Sequence, residues 1–73
     1  MKIELTNEEA LVLFEWLYNN GKQDQLFQDK SEQYVFWSIE CQLEKELSEP
    51  HSDNYLNALA EARETVRRIY GGE

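Results

Sequence analysis

Cysteine and histidine are the side chains best able to serve as nucleophile, base or metal ligand, and this chain has one of each, Cys41 and His51. A nucleophile paired with its base would have to come from His51 with Ser48, Ser52 or Cys41, and no third group is placed to orient such a set. Tetrahedral zinc needs Cys or His ligands in closely spaced pairs, which single copies cannot supply. Cys41 is therefore expected as a small apolar or interface residue, and His51 as a solvated loop residue beside Pro50. Carboxylates offer the remaining chemistry. Glu40, Glu44, Glu46 and Glu49 crowd one segment, with Lys45 the only base among them. Glu40 and Glu44 are one helical turn apart, a spacing that can hold a divalent cation or present negative charge to a partner. A helical di-metal centre would add a Glu-x-x-His element, and the segment has none, so the four are read as a solvated acidic face. Gly21, Gly71 and Gly72 fall at expected helix ends, not in a phosphate-cradling loop. No catalytic residue, metal or cofactor is expected, and the protein is expected not to be an enzyme.

Charge narrows the partners. With 15 acidic residues against 7 basic, the net charge is −8. A grip on DNA, RNA or anionic lipid needs a basic face, so neither direct nucleic-acid binding nor membrane binding is expected. Arg63, Arg67 and Arg68 are interleaved with Glu61 and Glu64, which leaves their segment nearly neutral. The apolar run from Ala10 to Tyr18 is too short to span a bilayer and is interrupted by Glu15. Met1 to Leu5 lacks the long apolar core of a signal peptide, and a lone thiol suits a reducing compartment, so a cytoplasmic location is expected. At 73 residues a single domain is expected, with only about 60% of the unfolded surface available for burial. Folds of this size usually carry a staple. One cysteine cannot form a disulfide within the chain and no metal is expected, which leaves association.

Three elements must position these residues. Thr6 is placed to cap a helix and Glu9, three residues on, to complete a capping box, so a first helix is predicted over about 7–19. Leu5 would act as a staple on Ala10, at the end of an alternating Met1–Leu5 segment that is either a short strand or an extended lead-in. At 100° per residue, Ala10, Leu11, Leu13, Phe14, Leu17 and Tyr18 share an arc of about 160°, while Val12 and Trp16 fall outside it. Gly21 suits a left-handed position after this helix. Leu26 and Phe27 are expected to fold back onto the core. Asp29 and Glu32 form a second start signal, and a helix over about 30–48 would bury a stripe of Val35, Phe36, Ile39, Leu43 and Leu47. Tyr34, Trp37 and Cys41 lie almost opposite that stripe. Pro50 breaks the chain, and Ser52 would cap a third helix over about 53–70, with Asp53 in its first turn. This helix pairs Glu64 with Arg68 and turns Tyr55, Leu59, Ala62, Val66, Ile69 and Tyr70 to one face, with Leu56 at its edge. The expected fold class is all-α: a three-helix unit, 1–73, with a short extended N-terminal segment.

The opening Leu5–Leu17 segment resembles the start of short, uncharacterised acidic bacterial helical proteins. That resemblance implies a bacterial, cytoplasmic, helical protein and brings no activity, cofactor or binding residue with it. The surplus aromatics point further. Val12, Trp16, Tyr34, Trp37 and Cys41 add apolar surface that three helices would struggle to cover, and Trp and Tyr are enriched at binding hot spots. The leading expectation is a non-enzymatic protein-interaction module, docking on a protein partner or on itself as a homodimer. An inhibitor, an immunity or antitoxin-like protein and a regulatory subunit all fit it. An acidic decoy for a nucleic-acid-binding protein, relying on Glu40, Glu44, Glu46 and Glu49, is one alternative. A metal-binding protein or enzyme built on His51, Cys41 and the same carboxylates is the other.

Overall fold

The computed structural model, which describes residues 1–47 and 52–72, is an all-α three-helix unit. Helix α1 spans Asn7–Asn20. Its start is the expected capping box: Thr6 Oγ1 accepts from the Glu9 N–H at 3.1 Å, and Glu9 Oε1 accepts from the Thr6 N–H at 2.8 Å. Residues 1–6 are an irregular lead-in, and there is no strand among the described residues. A short 3-10 turn, Asp24–Leu26, then leads to helix α2, Lys30–Glu46. Asp29 caps α2 by accepting from the Ser31 N–H at 2.8 Å. Glu32 reaches past Asp29 to the Gln28 N–H, at 2.8 Å, so this box is one residue wider than the sequence suggests. Leu47 is already extended, which ends α2 two residues short of expectation.

Helix α3, Tyr55–Gly71, begins two residues later than expected. The Ser52 hydroxyl accepts from the Asn54 N–H at 3.1 Å, in the manner of Asp29 at α2, but residues 53 and 54 form a turn and Asn54 becomes the N-cap of α3, without a side-chain cap hydrogen bond. Asp53 therefore precedes the helix. Gly72, with φ of 72°, closes α3 in the left-handed region. The Pro50 break, His51, Ser48 and Glu49 lie outside the described residues.

The hydrophobic core is small and sits on α1, the helix that packs against both others. Ala10, Leu11 and Phe14 of α1 meet Leu47 from the end of α2 and Leu59 and Ala62 of α3, with Val12, Leu43, Tyr55 and Ala58 packed around them. Leu11 is the largest fully buried side chain among the described residues. Two hydroxyls tie α3 across α1: Tyr55 donates to Glu15 and Tyr70 to Glu9. Glu64 and Arg68 form the expected surface pair at 3.1 Å. No helix among the described residues is long and apolar enough to cross a membrane.

Part of the expected core is not core. Val35 is 59% exposed and Ile39 40% exposed, so the Val35/Ile39 edge of the α2 stripe faces solvent. The inward positions are instead Gln33, Phe36, Glu40, Leu43 and Leu47, a turn of about 60° around the α2 axis at 100° per residue. Tyr18, Leu26, Leu56, Ile69 and Tyr70 are exposed as well, while Phe27 folds back as expected and is half-buried.

Candidate interaction surface

Helix ends leave carbonyls without intrahelical partners, and the end of α1 explains how α2 is turned. The Gly21 carbonyl accepts from the Trp37 indole Nε1 at 3.2 Å and from the buried Gln33 amide at 3.4 Å. Lys30 in turn donates to Gln33 Oε1 at 3.3 Å. A buried amide without partners would be costly, so this carbonyl fixes Gln33 inward and carries Val35 and Ile39 outward. Gly21 itself is right-handed, at φ −67°, and not left-handed as the sequence suggests. Its use is close approach: a Cβ here would stand 3.1 Å from the Leu17 carbonyl, 3.3 Å from the Phe36 ring and 3.4 Å from the Trp37 indole nitrogen.

This packing divides the aromatics into two groups. On one side of the α1–α2 contact, Trp16 and Phe27 both pack on Phe36, with ring centroids 5.4 and 5.1 Å apart. On α2 itself, Tyr34 and Trp37 pair at 6.3 Å. Trp16 is 50% exposed, Trp37 42% and Tyr34 60%, and Cys41 is exposed one turn beyond Trp37. Val12, by contrast, is half-buried against the core cluster. No protein-family model matches the chain, and neither does a curated protein or a solved structure. The site must be read from its own chemistry.

That chemistry is apolar with polar tips. The outward strip of α2 from Tyr34 through Val35, Ser38, Ile39 and Cys41 to Gln42 carries no charge, although the chain as a whole carries −8. The acidic residues are dispersed around it. Glu40 is half-buried on the α1 side, Glu44 and Glu46 are exposed, and Glu49 lies outside the described residues. Among the described residues no three His, Cys, Asp or Glu side chains gather closely enough to hold a metal ion. Perturbed ionisations belong to the tyrosine and cap contacts. Burial, then the Glu15 carboxylate, pushes the Tyr55 phenol far above its ordinary range. The Thr6 backbone N–H, then the Tyr70 hydroxyl, hold Glu9 below its ordinary value. The exposed α2 strip has no spacing signal beyond the position of Tyr34, Trp37 and Cys41 opposite the apolar stripe. Exposure of Val35 and Ile39 could not be read that way, because both belong to the stripe itself.

Proposed function

We propose that this protein is a non-enzymatic protein-interaction module of the cytoplasm, self-associating or docking on a protein partner through the exposed aromatics of α1 and α2. One observation carries the reading: Trp16, Tyr34 and Trp37 stand half-exposed on a small fold whose outward α2 strip is uncharged. Tryptophan and tyrosine bring large rigid area with a hydrogen-bonding tip, which is why they dominate interface hot spots. A strip without charge loses little on leaving water, whereas the rest of this acidic surface would lose much. The scattered placement of Glu40, Glu44 and Glu46 gives no comparable support to an acidic decoy.

The test is solvent access and apparent mass. Acrylamide should quench tryptophan emission in the free monomer, and Trp37→Ala or Trp16→Ala should abolish complex formation in light scattering while helical circular dichroism persists. Indoles closed to acrylamide in the monomer would remove the surface, and the reading with it.

A further inference from the structure

We infer that the occupant of the Tyr34–Trp37–Cys41 side of α2 is the same side of a second copy, packed antiparallel. This rests on the interaction reading and names the partner it leaves open. Lys30, Trp37 and Glu44 are seven residues apart in turn, so they line one row along α2, with Tyr34 and Cys41 in the neighbouring row. The centre of this seam is uncharged and its two ends carry opposite charges, both on exposed side chains. An antiparallel two-fold contact is self-complementary: it brings each Lys30 beside the Glu44 of the other copy, twice per dimer, around Tyr34, Trp37 and Cys41. A parallel contact would set Lys30 on Lys30 and Glu44 on Glu44. Of the other α2 charges, Glu32 and Glu46 fall on the far side of the helix at 100° per residue and Glu40 is half-buried. Lys45 continues the Tyr34–Cys41 row and in this register comes beside Asp29 of the other copy.

The second copy also carries −8, and the two Lys30–Glu44 pairs around an uncharged Tyr34–Trp37–Cys41 centre put attraction rather than like charges at the contact.

Charge reversal with sedimentation equilibrium at low salt tests this. Wild type should dimerise. Lys30→Glu and Glu44→Lys should each replace two attractive pairs by two repulsive ones and weaken the dimer about tenfold. The double variant Lys30→Glu/Glu44→Lys should return to wild-type affinity. Both reversals suit the helix dipole, an acid at the start of α2 and a base near its end. Because Lys30→Glu also gives up the Lys30–Gln33 hydrogen bond, Glu44→Lys is the variant that touches the seam alone, and circular dichroism checks the fold of each. Three results would each overturn the inference: a wild type monomeric at millimolar concentration, single variants that dimerise like wild type, or a double variant no better than the singles. A monomeric wild type whose Trp37 is still open to acrylamide would sink the second copy and leave the interaction reading standing.

Discussion

At Glu9 one carboxylate serves two elements, accepting from the Thr6 N–H to start α1 and from the Tyr70 hydroxyl to hold the far end of α3. Both contacts stabilise the ionised form and keep Glu9 below its ordinary value of 4.5, as Ser31 keeps Asp29 below 3.8. The folded chain therefore binds fewer protons than the unfolded chain in this range. Their contribution is present above those ordinary values and is lost as pH falls below them. Tyr55 and Tyr70 have the opposite sign: their phenols are raised above 10, so the fold retains protons that the unfolded chain gives up, and stability falls as pH rises past 10. Urea midpoints should thus form a plateau from about pH 5 to 9. Glu9→Gln should flatten the acid edge, and Tyr55→Phe the alkaline edge; edges unmoved by both variants would show the titration lies elsewhere. The Thr6–Glu9 half of this arrangement is legible in sequence because capping is local. The Tyr70 half joins residues at opposite ends of the chain, and no local spacing signals it.

Between helices, the Gly21 carbonyl decides which way α2 faces. The three helices are legible because apolar residues recur at the helical period and punctuation residues bound them. The rotation of α2 is not legible, because periodicity counts apolar residues and takes no account of a polar Gln33 with a distant partner. Two donors, Trp37 Nε1 and Gln33 Nε2, are satisfied only if α2 turns them toward the end of α1. Val35 and Ile39 are exposed as a consequence, so one local contact creates part of the apolar strip. Gly21→Leu should force the Phe36 and Trp37 rings away from that carbonyl and cost about 1–3 kcal/mol, as overpacking of a close contact does. Its signature should be a changed tryptophan emission in the native baseline together with a lower urea midpoint. An unchanged emission would mean that α2 holds its orientation without this contact.

For the molecule as a whole, the question is whether so small a core can hold three helices. A 73-residue domain has a stability of about 4–11 kcal/mol at the usual 0.05–0.15 kcal/mol per residue. Leu11 sits at the centre of the cluster that α1, α3 and Leu47 share, and Leu11→Ala should cost about 3 kcal/mol, a large share of that total. Aromatic area placed on the outside of α2 contributes nothing to this core in a lone chain. In an antiparallel pair the same area is buried, and folding becomes coupled to association. Mass action then makes the variant's stability depend on concentration: a hundredfold increase should return about 1 kcal/mol per chain. Urea or thermal midpoints of Leu11→Ala at two concentrations measure this directly. A midpoint that rises with concentration means that the Tyr34–Trp37–Cys41 face is part of what keeps the protein folded. A midpoint independent of concentration means that the Leu11 core suffices alone, and that the exposed aromatics are held in reserve for a different protein.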